Sequence, residues 1–297
     1  MTKDDFKTEL RRLLRAHFPI VHIDSYEEDR VLDAVGDLAR ETASSVFVWS
    51  TSHGVYDPTR TEHGAFDSKL AMADLAAALE TFEQLMRSKQ AEHKGLIFVL
   101  LDPGVYLTER NANPIYVRKL RDLALAIRSE DRAATCLIVS PSFTVPRELE
   151  REVTVLDFPL PSRHEIATYI DRVFAELAHS STIKIDNEEE LRGRFTEAAI
   201  GLTLAEIRNA LSYAVVDDLQ LDDQDVRHLF LQKRQIVRKS GLLEFIETAG
   251  LSLDEVGGLD TLKNWLYRRR VAFSEEGREF GVQAPKGVLV TGVPGCG

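Results

Sequence analysis

Cysteine is scarce in this sequence: Cys136 and Cys296 are the only two among 297 residues, and they lie far apart. Two distant cysteines supply neither a disulfide framework nor a four-ligand zinc site. The eight histidines form no H-x-x-x-H pair and no mixed cluster with cysteine. We therefore expect no metal site in this chain, and the cysteine usage fits a reducing compartment.

Long hydrophobic runs and an excess of positive charge are also absent. The longest apolar runs are far shorter than a membrane span, and the charged amino terminus does not resemble a signal peptide. Lys and Arg number 37 against 48 Asp and Glu, and this net charge of −11 argues against a general nucleic-acid-binding surface. We expect a folded cytoplasmic protein that does not contact membranes and for which nucleic acid is a disfavoured partner.

Strand-like apolar segments alternate with helical patterns over the first 160 residues. The segments with strand character are Ile20–Asp24, Ser45–Trp49, Leu96–Leu101, Cys136–Ser140 and Val153–Asp157. The intervening helices are predicted from a Ser25/Glu28 capping box onward, over Ser68–Gln90, and from Asn113 and Pro114 to about Ser129. Such alternation predicts an α/β fold with a parallel sheet.

The strand pattern stops after Pro161, and the chain then reads as successive helices to Lys239. Ser162 with Glu165 and Thr203 with Glu206 have the spacing of capping boxes, which predicts a helix start at each. Acidic clusters at 186–190 and 217–225 are placed at helix starts, where carboxylates stabilise the positive end of the helix dipole. We prefer this solvated-cap interpretation to a cation site.

These patterns divide the chain into four parts. We predict an α/β core at 1–160, a helical subdomain at 161–240, a linker at 241–252 and the start of a second domain at 253–297. At about 150 residues per domain, the length fits two domains.

The chain ends in an apolar strand that runs into a glycine-rich loop. The loop supplies the first six positions of the phosphate-binding motif G-x-x-x-x-G-K-[ST] as Gly292, Val293, Pro294, Gly295, Cys296 and Gly297. Glycines are required there because successive backbone N–H groups must turn inward around phosphate oxygens. We expect a continuation that begins with Lys and then Ser or Thr, and that later supplies a strand ending in Asp-Glu. The alternative is a purely structural loop.

The segment before this loop resembles the entrance of an AAA+ ATPase module. The resemblance lies in Asp254–Lys263, Phe273, Phe280–Gly281 and Pro285–Gly292. It implies that Val256, Gly257 and Gly258 lie against the adenine of ATP, that residues 292–297 hold its phosphates, and that Mg²⁺ accompanies it. Where the family usually has Pro and Thr, this chain has Val293 and Cys296, and we interpret Cys296 as a small loop residue.

The helix with Trp265 and Arg268–Arg270 further resembles the tandem AAA family of cyanobacteria and plastids known as a hypothetical chloroplast reading frame. Members of that family carry a degenerate first module before an active one. The resemblance therefore implies a P-loop-type parallel sheet in the first domain and a helical lid at 161–240. Phe158–Arg163 and Gly201–Glu206 are similar to the strand-exit and lid signatures of the family.

At the nucleotide positions of this fold, the first domain departs from the family pattern. Ser25–Asp29 stands where glycines should cradle phosphate, and its three adjacent carboxylates would repel a triphosphate. Asp102 keeps the Walker B aspartate, but Pro103 replaces the catalytic glutamate, so no side chain there orients an attacking water. Ser140 takes the sensor position. We expect a retained fold without ATP chemistry.

Arg147 and Arg151 lie between the fourth and fifth predicted strands of the first domain. AAA+ modules project arginine fingers from this region into a neighbouring subunit's site, where a finger offsets the charge that develops on a transferred phosphoryl group. The alternative is a pair of surface arginines that form ion pairs with Glu148, Glu150 and Glu152.

We interpret the chain as the amino-terminal part of an AAA+ ATPase that binds and hydrolyses ATP through its second module. The resemblance implies a homo-oligomer that remodels or regulates a protein partner. The chain as given lacks the motif Lys and the acidic residues of the second module, so we expect no hydrolysis by it alone. The alternative is a non-catalytic protein-interaction or regulatory module, and a P-loop kinase is disfavoured by the Val256–Leu259 entrance and the lid.

Overall fold

The structure is a computed structural model, and it describes most of the chain. The described residues are 2–58, 74–88, 95–107, 113–129, 133–141, 143–178, 184–185, 187–218, 220–239, 257–273, 277 and 280–282. They divide into two compact units, Met1–Ile236 and Val237–Gly297.

A six-stranded sheet forms the centre of the first unit. Its strands are β1 (Ile20–Asp24), β2 (Ser44–Ser50), β3 (Gly54–Tyr56), β4 (Gly95–Leu101), β5 (Ala133–Val139) and β6 (Val153–Asp157). Their order across the sheet is β3-β2-β4-β5-β1-β6, and every neighbouring pair is parallel except β2 with β3. The predicted α/β fold with a parallel sheet is confirmed, whereas the short antiparallel strand β3 was not predicted.

Helices cover both faces of this sheet. The helices of this part are α1 (Lys3–Arg15), α2 (Glu28–Thr42), α3 (Leu75–Arg87), α4 (Gly104–Leu107) and α5 (Pro114–Ser129). One apolar cluster joins α1 and α2 to one face, and a second joins α3, α4 and α5 to the other. Every residue of β4 is buried between these layers, as its unbroken apolar sequence requires. We call β1–β6 with α1–α5 the core.

Two helix starts in the core differ from the sequence prediction. The predicted Ser25/Glu28 capping box is wrong: α2 begins at Glu28 after Glu27, with no side-chain cap, because the Ser25 hydroxyl accepts the N–H of Glu27 instead. The long helix predicted over 68–90 is described as Leu75–Arg87, capped by Asp74, and the rest of that prediction lies mainly outside the described residues. The start of α5 at Pro114 is confirmed.

Two basic residues of α1 form ion pairs with acidic residues of α2. Lys7 lies 2.5 Å from Asp37 of α2, and Arg11 forms an ion pair with Glu41 of the same helix. These pairs link the two helices at their polar edge, whereas Arg12 and Arg15 of α1 are exposed.

The remainder of the first unit is helical and carries its own apolar cluster, built from residues between Ile166 and Leu229. Its elements are α6 (Arg163–Ala178), β7 (Lys184–Ile185), α7 (Glu188–Ala199), α8 (Leu204–Asp218), β8 (Gln220–Leu221) and α9 (Asp223–Lys239), whose last residues, from Val237 on, are assigned to the second unit. We call this part the lid. The expectation that strands stop after Pro161 is wrong, because β7 and β8 form a parallel pair of two residues each.

The polar signals predicted for the lid helices have mixed outcomes. Both capping boxes form: Ser162 with Glu165, and Thr203 with Glu206, exchange the expected backbone-to-side-chain hydrogen bonds. Of the acidic cluster at 186–190, Glu188, Glu189 and Glu190 form the first turn of α7 as predicted, and residue 186 lies outside the described residues. The cluster at 217–225 is divided, because 217 and 218 end α8 whereas 222–225 lie at the start of α9.

The second unit is described mainly around one helix. This helix, α10 (Asp260–Arg269), is followed by a 3₁₀ turn at Arg270–Phe273, and the guanidinium of Arg269 lies 4.0 Å from the ring centroid of Trp265. Within the described ranges of both units, no helix is long and apolar enough to cross a membrane. The domain boundaries at 160, 240 and 252 stay predictions.

We expect Cys136 to be inert towards thiol reagents while the sheet is folded. It lies fully buried in β5, and burial raises the pKa of its thiol to about 12 because the thiolate would be desolvated. Peptide mapping after alkylation at about pH 8 should find Cys136 unmodified in the native chain and modified in guanidinium chloride. Equal modification under both conditions would contradict the burial of β5.

Candidate functional site

The predicted phosphate-binding loop, residues 292–297, lies outside the described residues, and so does Val256. Gly257 and Gly258 are described, and both are exposed ahead of α10. The φ angle of Gly258 is +69°, in the left-handed region that favours glycine. The nucleotide contacts assigned to these residues therefore stay predictions.

The carboxyl edge of the core sheet can be described directly, and it is where ligands bind in open α/β sheets. Asp102 follows β4 there, exposed and with a φ angle of +47°. Its backbone N–H donates to the carbonyl of Val139 at 3.0 Å, which fixes the end of β4 against β5. Pro103 is buried directly after it. The sequence therefore places an aspartate, but no second acid, at this strand end.

Ser140 directly follows β5 and is held beside β1 by two contacts with that strand. Its N–H donates to the carbonyl of Ile23 at 3.3 Å, and its carbonyl accepts the Nε2–H of the buried His22 at 2.9 Å. His22 also meets the ring of Phe143 edge-on, with centroids 5.1 Å apart. These contacts make His22 a structural residue that joins the ends of two strands.

The loop after β1 turns one of its carboxylates inward and leaves the others near solvent. Tyr26 is 77% exposed, whereas the Glu27 side chain is only 7% exposed. Asp29 is exposed, and Glu28 is half-buried. The three adjacent acids of this segment therefore have different environments, although the sequence presents them as one run.

Arg30, in the first turn of α2, is the partner of Glu27. Its Nη1 lies 2.5 Å from a Glu27 carboxylate oxygen and also donates to the carbonyl of Pro159 at 3.1 Å. Its Nη2 donates to Glu165 at 3.3 Å, and its guanidinium lies 5.0 Å from the centroid of the Phe158 ring. The side chain is 8% exposed, so this is a buried guanidinium with its charge compensated.

The second oxygen of Glu27 reaches the lid. It accepts the backbone N–H of Leu204, the first residue of α8, at 2.8 Å. The first N–H groups of a helix have no partner inside the helix, and the helix dipole makes this end partly positive. A carboxylate from the core therefore occupies a position that favours an anion.

Glu165 performs two roles at the start of α6. It completes the capping box with Ser162, and it accepts the hydrogen bond from Arg30. Burial by itself would raise the pKa of Glu165, but the hydrogen bonds from Ser162 and the charge of Arg30 together lower it. The carboxylate form is thus the one that the folded state favours.

The opposite effect acts on the acids that remain at the carboxyl edge. Burial raises the pKa of Glu28, and the negative charges of Asp102 and Asp29 raise it further. Burial, with the charges of Glu28 and Asp29, also raises the pKa of Tyr56.

In the part of the chain that the structure describes, no group of three or more His, Cys, Asp or Glu side chains is arranged to hold a metal ion.

Arg147 and Arg151 lie in and after a 3₁₀ turn between β5 and β6, and both are exposed. The ion pairs expected with the neighbouring glutamates do not form among the described residues. Glu152 instead lies 2.6 Å from Arg128 of α5. Both arginines therefore present their charge to solvent on this surface.

Sequence reasoning missed the role of Arg30. The residue lies within the apolar helical pattern of α2, where it resembles an ordinary charged neighbour of core positions. Its spacing of three from Glu27 was the one available signal, because that spacing brings opposite charges together on a helix. Pro159 and Glu165, which are 129 and 135 positions away, give no local signal.

Comparisons with known proteins follow the same division of the chain. The family model of the SpoVK-like AAA ATPase N-terminal domain matches residues 6–158, and the model of the second domain of that family matches residues 164–240. Among solved structures, this chain is similar to C. elegans PCH-2, with a TM-score of 0.46 and a sequence identity of 13%. The similarity covers 79% of this chain and 69% of PCH-2.

Two plastid-type relatives match almost all of the chain. The ycf46 AAA domain-containing protein of Pyropia yezoensis is 30% identical over 294 residues, which are 99% of this chain and 55% of the relative. That of Trieres chinensis is 29% identical over 293 residues, which are 98% of this chain and 54% of the relative. The chain thus spans about half the length of these curated relatives.

The first family model alone extends over more than half of the 297 residues, and it coincides with the strands and helices of the core. The second coincides with the lid. The chain belongs to the SpoVK-like AAA ATPase family.

Proposed function

We propose that this chain is the amino-terminal part of an ATPase whose second module binds and hydrolyses ATP with Mg²⁺, while its first module is a nucleotide-free scaffold. The observation that carries the proposal is the contrast between two segments, the one that follows β1 and the glycine-rich sequence near the end of the chain. The second, at 287–297, has the glycines of a phosphate-binding loop, whereas the first has Glu27 and Arg30 paired with each other.

Family membership and the motif support nucleotide binding by the second module. AAA ATPases use ATP and Mg²⁺ in general, and the loop of Gly292, Val293, Pro294, Gly295, Cys296 and Gly297 would hold the phosphates. Val256, Gly257 and Gly258 would lie against the adenine. When bound, Mg²⁺ would neutralise charge that develops on the phosphates during hydrolysis.

The residues of the first module do not fit a nucleoside triphosphate. The carboxylate of Glu27 already accepts the hydrogen bond from the N–H of Leu204. The exposed Asp29 and the half-buried Glu28 add negative charge beside it. Asp102 has no acidic neighbour at its strand end, since Pro103 follows it. We therefore derive no ATP chemistry for this module and propose a role in contacts.

Those contacts include neighbouring subunits of a homo-oligomer in this proposal. AAA ATPases commonly assemble into oligomers, and Arg147 and Arg151 are exposed without ion pairs among the described residues. An arginine on such a surface can complete the active site of a neighbour. A protein partner to be remodelled or regulated and a cytoplasmic location are further parts of the proposal.

We expect residues 1–240 to fold independently and not to bind ATP, because their anion position is filled by Glu27. The full-length protein should bind Mg·ATP with an affinity on the order of micromolar to millimolar. Calorimetric titration of residues 1–240 and of the full-length protein with Mg·ATP measures the two affinities. Circular dichroism is the control for folding. Micromolar, Mg²⁺-dependent binding by residues 1–240 would contradict the scaffold assignment, and its absence from the full-length protein would favour a purely non-catalytic module.

A second expectation concerns the exposed arginines. If either completes a neighbouring site, Arg147→Ala or Arg151→Ala in the full-length protein should lower ATP turnover by about 10³-fold. Arg118→Ala is a matched control, because Arg118 forms an exposed ion pair with Asp122 on α5 at 2.7 Å, and its loss should cost at most about 1 kcal/mol of stability. Turnover within a few-fold of the parent for both variants would remove the role in a neighbouring site.

A further inference from the structure

One carboxylate of the core is placed at the junction with the lid. Glu27 precedes α2, and it accepts the N–H of Leu204 at the start of α8, although the two residues are 177 positions apart in sequence. We propose that Glu27 is an internal latch: its carboxylate occupies the amino end of α8 as a bound anion would, and it holds the lid against the core without any ligand.

The amino end of α8 is completed by two different groups. The Thr203 hydroxyl accepts the N–H of Glu206 at 3.2 Å, which is the ordinary capping-box bond of this helix. The N–H of Leu204 is a separate donor of the first turn, and Glu27 accepts it. The latch therefore adds to the helix's own cap and does not replace it.

Arg30 supplies the positive charge that a buried carboxylate requires. The Glu27 and Arg30 side chains are 7% and 8% exposed, and their charged atoms are 2.5 Å apart. Desolvated charges are tolerated where they are paired and hydrogen-bonded. The pair can thus keep a negative group at the end of α8 in a site from which water is largely excluded.

The same guanidinium also binds the start of α6. It donates to Glu165 in the first turn of that helix and to the carbonyl of Pro159 in the segment that precedes it. Lid helices α6 and α8 therefore both begin at one ion pair of the core. Loss of the pair would release the lid at two points at once.

Covalent attachment gives Glu27 an advantage over any free anion. A phosphate group that approached α8 would have to displace a carboxylate held there at an effective concentration on the order of millimolar or more. We therefore expect the lid to keep its position whether or not nucleotide is present. This inference does not depend on ATP hydrolysis by a second module, and its tests measure no ATPase activity.

Replacement of the latch by an added anion tests this directly. Glu27→Ala in the 297-residue chain should lower the thermal unfolding midpoint by about 10 °C, because Arg30 would remain buried with Glu165, at 3.3 Å, as its one carboxylate partner among the described residues. Acetate at about 0.1 M should recover at least half of this loss, since it returns a carboxylate to the position that Glu27 held between Arg30 and the N–H of Leu204. Chloride at the same ionic strength should not.

Glu28→Ala is the matched control. Glu28 is the adjacent carboxylate, but burial and the charges of Asp102 and Asp29 raise its pKa, so its ionised form destabilises the folded state at neutral pH. Its removal should leave the midpoint unchanged or raise it, with no specific response to acetate. Equal midpoints of Glu27→Ala in acetate and chloride, or an equal acetate response in the control, would overturn the proposal.

Hydrogen exchange provides a test in the unaltered chain, in case Glu27→Ala does not fold. Without ligand, the N–H of Leu204 should exchange at least about 10-fold more slowly than that of Ala205, for which the described residues show no acceptor. Addition of Mg·ATP should leave the Leu204 rate unchanged. Equal rates for the two amides, or slower exchange of Leu204 only when nucleotide is added, would overturn the latch.

Discussion

The buried guanidinium of Arg30 is the constraint on which the arrangement of core and lid depends. A charge removed from water must be compensated, and removal of one partner of a buried pair typically costs about 3–5 kcal/mol. Arg30 is compensated by Glu27 and Glu165, while the ring of Phe158 covers it and the carbonyl of Pro159 accepts from it. Because these groups come from α2, the β6 exit and α6, all three must be in place together.

Features of the fold that rest on local chemistry could be predicted from the sequence. The parallel strands follow from unbroken apolar runs, and the starts of α6 and α8 follow from capping boxes whose partners are three residues apart. The pair of β7 and β8 could not be predicted, since each strand has only two residues and exists through its partner. The capping box predicted at Ser25 does not form, because the Ser25 hydroxyl accepts the nearer N–H of Glu27.

In the candidate site, too, features set by neighbouring residues could be predicted, whereas features set by residues distant in sequence could not. Runs of acids after β1 predicted a repulsive surface, and this describes Glu28, whose pKa is raised by burial and by its acidic neighbours. It does not describe Glu27, since the fold turns that residue towards Arg30 and Leu204. Which of several adjacent carboxylates is turned inward depends on a lid that begins more than a hundred residues later, and no local pattern contains that information.

The sequence distance across the latch has a consequence for the order in which the protein is made. Strand β1 lies between β5 and β6, so an emerging chain cannot complete the centre of its sheet until about residue 157 has left the ribosome. The hydrogen bond between Glu27 and Leu204 can form only later, because Leu204 is synthesised 177 positions after Glu27. During that interval Glu27 lacks its contact with α8, so this link between core and lid forms only once the third helix of the lid has begun to emerge.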